Sequence, residues 1–206
     1  MINLNEEFRR MGEDFGLTDK EVFTTVRVMI RSMWSDSEFK KRFLKSKSKV
    51  VVNENPRSMK KHPTVTKYQC AICKGWFGTA DIELDHVVSE NGLKSYDDIE
   101  PFMQNIVLTS PSLLQILCKD KWKYKTVTTG GKKRKVKDVL VYQGCHGKKT
   151  YSERYDVSLE QAEAEKEAIQ LIKQKLDKEW LEGNGITPQS TQEKRRVQIV
   201  EYLLNK

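Results

Sequence analysis

The residues in this chain best suited to chemistry are a neighbouring acid and imidazole, Asp85 and His86, in the stretch IELDHVVSENG at 82–92. Carboxylate oxygens and imidazole nitrogens are common ligands of divalent metal ions. The pair is also consistent with a surface coincidence, so the rest of a metal site has to come from elsewhere in the chain. Because consecutive strand residues point to opposite sides, the two side chains can serve different roles only where the strand bends or ends.

Four cysteines, Cys70, Cys73, Cys118 and Cys145, form the second group. The first two make a Cys-x-x-Cys knuckle. We expect reduced thiols, because the sequence carries no signal-peptide pattern. A tetrahedral zinc site takes four soft ligands, and this chain supplies them with none left over. A redox-active knuckle calls for a βαβ pattern that the sequence lacks, and two unrelated buried cysteines beside a knuckle are the plainer alternative. We predict structural zinc.

Several motifs around these residues follow one another in a set order. They are Cys70-x-x-Cys73, the strand end Asp85-His86, Leu114-Gln115-Ile116-Leu117-Cys118, and Cys145-His146-Gly147-Lys148-Lys149-Thr150. This order resembles the zinc-containing HNH endonucleases, a family common in bacteriophage. The resemblance covers about residues 68–151, somewhat under half of the chain.

The resemblance implies an α+β protein with a ββα-metal core, in which a zinc site made of the four cysteines joins a hairpin to a helix that begins near Cys145. It implies that His86 is a general base, since imidazole can accept a proton at neutral pH. Asp85 and His146 are expected to hold one catalytic divalent ion, Mg²⁺ or Mn²⁺ or similar. The implied activity is metal-dependent hydrolysis of phosphodiester bonds in double-stranded DNA, as a nick or a double-strand cut.

Two departures from the family's pattern bear on this expectation. The last two cysteines usually lie close together in the family, whereas here the 26 residues from Lys119 to Gly144 separate them. The family's middle Asn, which braces the loop of the catalytic histidine, aligns with Leu113, and leucine cannot donate a hydrogen bond. Asn105 and Ser112 are the candidate substitutes.

Three functional hypotheses therefore stand: a DNA endonuclease, a zinc-stabilised DNA-binding protein with weak or lost nuclease activity, and an RNA- or protein-directed module that reuses the fold. The third histidine, His62, is interpreted as an ordinary surface or core residue. A double-strand cutter of this kind is most simply a homodimer. The expected location is the cytoplasm, or the host cytoplasm for a phage-encoded chain.

Charge supports a polyanionic partner, nucleic acid before an anionic membrane, because the net charge is +8. Eleven basic residues against two acidic ones give residues 119–149 a net charge of +9. No apolar run has the ~18 residues that a membrane helix needs.

The segment from Trp122 to Tyr142 predicts a β-hairpin turning at Gly130-Gly131. This hairpin is interpreted as an arm that contacts DNA, and the alternative is a flexible surface insertion. The predicted DNA-binding residues are Lys123, Lys125, Lys132, Lys133, Arg134, Lys135, Lys137, Lys148 and Lys149.

The chain divides into three predicted regions: helices and a basic linker over 1–66, the nuclease core over 67–156 with the basic hairpin inserted at 119–144, and helices over 157–206. In the first region, Thr18 and Glu21 form a capping-box pattern. A helix over about 36–45 and a short strand at 50–52 follow.

In the last region, Ser158 caps a long helix that runs to Gly183, with Gln161 completing a capping box. Ile169, Ile172, Leu176 and Trp180 mark its apolar stripe. A final helix is predicted to start at Thr187-Pro188, with Val197, Val200 and Leu204 on one side.

Overall fold

A computed structural model describes residues 3–87, 93–107, 109–129 and 132–206, with the side chains of 129 and 132 left undescribed. These residues form eight α-helices and seven strands, which confirms the predicted α+β class. The helices are α1 Leu4–Asp14, α2 Asp19–Asp36, α3 Glu38–Ser46, α4 Ile99–Val107, α5 Cys145–Tyr155, α6 Leu159–Gln174, α7 Asp177–Gly183 and α8 Gln192–Leu204. The strands are β1 Ser48–Val52, β2 Thr64–Gln69, β3 Trp76–Gly78, β4 Ile82–His86, β5 Leu114–Cys118, β6 Lys121–Thr129 and β7 Lys132–Tyr142.

The chain folds as two compact units. The first contains Met1–Ala71 and Leu84–Ile116, and the second contains Ile72–Glu83 and Leu117–Lys206. None of the helices among the described residues is both long enough and apolar enough to cross a membrane.

Helix α2 forms the centre of the first unit. The predicted capping box is present, since the carboxylate of Glu21 accepts the backbone N–H of Thr18 at 2.9 Å. The buried residues of α2 recur every four positions and make one apolar stripe, Val22, Val26, Ile30 and Trp34. Helix α4 packs against α2 with its own buried face. Along the sequence, α4 comes between β4 and β5, the strands that carry the motifs, and it was not predicted.

Two pairs of strands lie wholly or mostly in the first unit. β1 and β2 are antiparallel, with a register from Ser48↔Tyr68 to Val52↔Thr64. The interpretation of residues 45–67 as a linker with one strand was therefore incomplete, because Thr64–Gln69 also pairs. Its three consecutive β-branched residues, Thr64, Val65 and Thr66, favour a strand, but the surrounding charge obscured this pattern. β4 and β5 form a separate two-stranded sheet, and β4 ends at His86 as the resemblance implied.

The predicted hairpin is present in the second unit. β6 and β7 pair antiparallel along their whole length, from Lys121↔Tyr142 to Thr129↔Lys132. The register shifts on both sides of Trp122, between Lys121 and Trp122 and between Trp122 and Tyr124, so β7 carries extra residues opposite the base of β6. The predicted turn at Gly130-Gly131 lies outside the described residues.

The C-terminal helices differ from the prediction in two places. Ser158 caps α6 by accepting the N–H of Gln161. The helix nevertheless ends at Gln174 rather than at Gly183, because Lys175 adopts a left-handed conformation with φ +61°. Its N–H and that of Leu176 return to carbonyls of the last turn, which is a common helix-terminating arrangement.

The last helix begins at Gln192 rather than at Pro188, because the hydroxyl of Thr191 accepts the N–H of Lys194 and caps it there. Its buried residues are Arg195, Ile199 and Val200, whereas the predicted Val197 and Leu204 are about half exposed. Arg195 forms a buried ion pair with Asp177, with 2.5 Å between Nε and Oδ2. This pair fixes α7 against α8 beside an apolar core of Ala164, Ala168, Leu181, Ile199 and Val200.

Candidate functional site

The four cysteines come together. Their sulfur atoms all lie within 4.8 Å of one another, and the Sγ atoms of Cys73 and Cys118 are 3.8 Å apart. Four sulfurs at about 2.3 Å from a tetrahedral zinc ion are separated by roughly 3.8 Å, so the spacing fits such an ion. Three of the four cysteines are buried, and Cys73 is exposed. The cluster can therefore hold a metal such as zinc, as predicted from the sequence.

Local backbone structure presents these sulfurs. The knuckle turns after Cys73 at Lys74, which adopts a left-handed conformation with φ +60°. Cys118 is the last residue of β5, and Cys145 is the first residue of α5. The backbone N–H of Cys145 donates to the sulfur of Cys118 at 3.2 Å. An N–H at a helix start stabilises a neighbouring thiolate, which is the form of cysteine that binds metal.

The hydroxyl of Tyr142 also contacts the cluster. It lies 3.3 Å from the sulfur of Cys118 and 3.8 Å from that of Cys73. Burial, together with these two neighbouring thiols, raises the pKa of Tyr142, so its hydroxyl keeps its proton. Phe77 packs on the same ring, with centroids 5.8 Å apart. In the sequence, Tyr142 is recognisable only as the end of the predicted hairpin.

Close backbone approach explains the glycine before Cys145. A Cβ added at Gly144 would overlap the backbone carbon of Lys119 and would lie 2.5 Å from the carbonyl oxygen of Cys118. The two ends of the hairpin insertion thus touch through backbone atoms directly beside the cluster. This contact explains how the last two cysteines, separated by 26 residues in the sequence, still meet.

Asp120 stabilises the place where the two ends of the hairpin insertion meet. One of its oxygens accepts the N–H of Gly144 at 2.8 Å, and both lie within 3.3 Å of the ammonium of Lys166 on α6. A Cβ at Gly147 would overlap that ammonium, so a side chain there would displace it from the carboxylate. In the sequence, Asp120 is visible only as one of two acids among eleven basic residues, and its role was missed.

Asp85 and His86 occupy the end of β4 in the first unit, and both are partly buried. The side-chain amide of Gln115 on β5 donates to Oδ2 of Asp85 at 3.0 Å and lies 3.4 Å from the carbonyl oxygen of His86. The next backbone N–H, that of Val87, donates to the carbonyl oxygen of Leu113 at 2.8 Å. Gln115 belongs to the motif Leu114-Gln115-Ile116-Leu117-Cys118, but the sequence alone indicates no role for its side chain.

Ser112 and Asn105, the two substitutes that the sequence suggested for the family's middle Asn, lie on other elements than the Asp85-His86 strand. The hydroxyl of Ser112 lies 2.9 Å from that of Ser110, and Asn105 lies on helix α4. The amide that contacts the Asp-His pair belongs to Gln115, two residues after Leu113. The side chain of Leu113 is about half exposed.

An indole ring lies near the imidazole of His86. The ring of Trp34, at the end of α2, lies with its centroid 6.1 Å from that of His86 and is tilted by 39°. Trp34 is nearly buried. Helix α2 thereby limits the orientations open to the imidazole, a constraint that residues so far apart in the sequence do not reveal.

His146 lies in the second unit, on the first turn of α5. Its carbonyl oxygen accepts the hydroxyl of Thr150 at 2.9 Å. The motif residues Lys148 and Lys149 have mostly covered side chains that pair with Glu163 and with Glu153 at 2.5 Å and 2.8 Å.

The basic residues of the hairpin are mostly exposed. Lys125 pairs with Asp138 at 2.7 Å, and the ammonium of Lys137 lies 5.0 Å from the ring centroid of Trp122. The side chain of Lys132 lies outside the described residues. Among the described residues of the hairpin, the other exposed positively charged side chains are Lys121, Lys123, Lys133, Arg134 and Lys135.

Comparison of the chain with protein-family models, curated proteins and solved structures gave no match.

Proposed function

We propose that this protein is a metal-dependent DNA endonuclease of the zinc-containing HNH type, with a ββα-metal core. The observation that carries the proposal is the four-cysteine cluster. Two of its members are attached directly to the elements that bear the other motifs: β5, which pairs with the Asp85-His86 strand, ends in Cys118, and α5 begins with Cys145 followed by His146.

The proposed chemistry assigns His86 as the general base. Its imidazole takes a proton from the attacking water as the water oxygen bonds to phosphorus, and the bond from phosphorus to the 3′ oxygen breaks. The ring of Trp34 lies on one side of the imidazole, and Gln115 contacts the backbone carbonyl of His86, so both restrain the position of this residue. Such restraint matters because a catalytic group contributes most when its position is fixed before reaction.

Asp85 and His146 are the proposed ligands of one catalytic Mg²⁺ or Mn²⁺. The carboxylate of Asp85 fits this role: one of its oxygens accepts the amide of Gln115, and a carboxylate has further lone pairs for a cation. When bound, the ion neutralises charge on the phosphate and stabilises the leaving oxygen. The zinc is a separate, structural ion that contributes to folding.

Double-stranded DNA is the proposed partner, held through its phosphates by the basic hairpin. Phosphate contacts position a protein on DNA without reading its sequence. Lys123, Lys133 and Lys135 are exposed on the hairpin, and the exposed Arg134 is the residue there that can bind a guanine edge bidentately. The homodimer and the cytoplasmic location stay predictions.

A zinc-stabilised DNA-binding protein with little nuclease activity is the second candidate, favoured by Leu113 in place of the family's Asn. The experiment that separates the two candidates incubates supercoiled plasmid with the protein at constant bound zinc, with and without Mg²⁺ or Mn²⁺. The nuclease proposal predicts metal-dependent nicking or linearisation, and a His146→Ala variant that needs more metal for the same rate. DNA binding without cleavage at any metal concentration supports the second candidate instead.

A further inference from the structure

A cavity in the second unit is not used by the proposed chemistry. It has a volume of about 480 Å³ and lies where the base of the hairpin, α5 and α6 meet. Ligand pockets in proteins commonly measure about 300–1,000 Å³. His146 lines one side of the cavity. A molecule in the cavity would therefore lie beside the side chain that the proposed function assigns to the catalytic metal.

Aromatic rings form much of the cavity's wall. Trp122 contributes from β6, and Tyr151 and Tyr155 contribute from α5, with their ring centroids 4.4 Å apart. Tyr155 is 56% exposed although it lies against its neighbour. Flat rings that remain accessible at the edge of a cavity are the surfaces on which nucleobases stack.

Positive charge surrounds these rings. Arg154 and Lys173 line the cavity with exposed side chains, and Lys166 adds a covered ammonium. The one carboxylate in the lining, that of Asp120, is already engaged by Lys166 and by the N–H of Gly144. An anionic group at the mouth of the cavity therefore meets two accessible cations, which is the requirement for binding a phosphate.

The same surface continues along one face of the hairpin. The cross-strand pairs Tyr124↔Lys137, Thr126↔Lys135 and Thr128↔Lys133 place alternate residues of each strand on that face. The ammonium of Lys137 lies 5.0 Å from the ring centroid of Trp122, so the lysine row leads to a wall of the cavity. A row of cations ending at an aromatic cavity suits a polymer strand better than a free nucleotide.

We propose that the cavity binds an unpaired nucleotide of a DNA strand whose backbone follows the lysine row of the hairpin. The base stacks on the aromatic wall, and its phosphate contacts Arg154 and Lys173. Bases inside a duplex are stacked on one another and cannot enter, so the preferred substrate is DNA with a gap, an overhang or a branch. This inference rests on the DNA-binding half of the proposed function, not on cleavage.

Equilibrium binding by fluorescence anisotropy tests the inference, with no Mg²⁺ or Mn²⁺ added and with bound zinc constant. The probes are a labelled duplex, the same duplex with a short single-stranded gap, and a third version whose gap nucleotides are abasic. We expect the gapped DNA to bind about tenfold more tightly than the duplex, because each stacked base contributes substantially to affinity. The abasic gap keeps the phosphates and the flexibility but should lose most of that gain.

Two pairs of variants locate the effect. Tyr155→Ala should remove the preference for the gapped DNA, whereas Phe39→Ala, which removes another well-exposed ring on α3, should retain it. Lys173→Ala should weaken binding of the gapped DNA about threefold or more, whereas Lys178→Ala makes the same charge change on α7 and should not.

Equal affinity for the duplex and the gapped DNA would overturn the inference, as would undiminished binding of the abasic gap. Tighter binding of a gap made of RNA would overturn its assignment to DNA. Plasmid cleavage answers a different question. A protein that prefers gapped DNA but cuts nothing keeps this inference and loses the nuclease proposal. A protein that cuts plasmid but has no preference for gapped DNA keeps the nuclease proposal and loses this inference.

Discussion

The side-chain amide of Gln115 donates a hydrogen bond to the carboxylate of Asp85, with 3.0 Å between Nε2 and Oδ2. The same nitrogen lies 3.4 Å from the carbonyl oxygen of His86, so one side chain on β5 contacts both residues at the end of β4. Under the proposed function, these two residues are a metal ligand and the general base. Gln115 is then a positioning residue, and it supplies the amide that Leu113 cannot.

Replacing Gln115 with alanine tests this positioning role. Gln115→Ala should lower the rate of DNA cleavage about tenfold to a hundredfold, because outer partners that orient a metal ligand commonly have effects of that size. The Mg²⁺ concentration for half-maximal rate should rise, which general destabilisation would not cause. Gln104→Ala removes an amide that contacts Glu100 on the exposed face of α4 and serves as the control. Unchanged rate and metal dependence in Gln115→Ala would contradict the role.

Tyr142 gives a prediction for the zinc cluster. Tyr142→Phe removes the hydroxyl 3.3 Å from the sulfur of Cys118 and should lower zinc affinity about tenfold to a hundredfold. The measurement is competition with a chromogenic chelator, followed by thermal unfolding of the zinc-loaded protein. Tyr124→Phe removes the hydroxyl of an exposed tyrosine from the same hairpin and should leave affinity unchanged. Equal affinities for both variants would show that the hydroxyl does not support the cluster.

Gly144 should tolerate no side chain. Gly144→Ala places a methyl group 2.5 Å from the backbone nitrogen of Asp120 and should cost on the order of 3 kcal/mol in the free energy of unfolding, with weaker zinc binding. Chemical denaturation with zinc present measures the cost. Gly183→Ala is the matched control, because a Cβ there meets nothing within 4 Å. A Gly144→Ala variant as stable as this control would disprove the close approach.

The hairpin's lysines should differ in their contribution to DNA binding. Lys135 is exposed opposite Thr126, so Lys135→Ala should reduce the slope of log K against log salt concentration by about 0.9. Lys125 already pairs with Asp138 at 2.7 Å, and Lys125→Ala should reduce the slope less. Anisotropy titrations over a range of salt concentrations measure both. A slope near zero in the wild type would contradict hairpin binding to phosphates altogether.

Sequence patterns predicted those parts of the structure that depend on neighbouring residues. The capping box at Thr18, the hairpin over 121–142, the end of β4 at His86 and the start of α5 at Cys145 all follow from local propensity or from motif order. The zinc prediction also held at the level of the four-sulfur cluster, because ligand type and number alone carry it.

The features that could not be predicted from the sequence depend on tertiary contacts. The break at Lys175 lies in a run whose apolar spacing continues through it, and the break brings Asp177 to the buried side chain of Arg195. Likewise, Gln115 and Asp120 are ordinary polar residues until the fold brings the end of β4 to one and the N–H of Gly144 to the other. Side chains that act by contacting distant residues leave no periodic trace in a single sequence.

Cleavage of supercoiled plasmid by His86→Ala, beside wild type and His62→Ala, tests the central claim most directly. Bound zinc is held constant, Mg²⁺ or Mn²⁺ is added, and DNA affinity is measured for each protein. The nuclease proposal predicts that His86→Ala loses at least about a hundredfold in cleavage rate while it still binds DNA. The exposed His62 lies outside the motifs, so His62→Ala should cut like the wild type. Cleavage by His86→Ala within a few-fold of the wild-type rate would contradict the proposed general base.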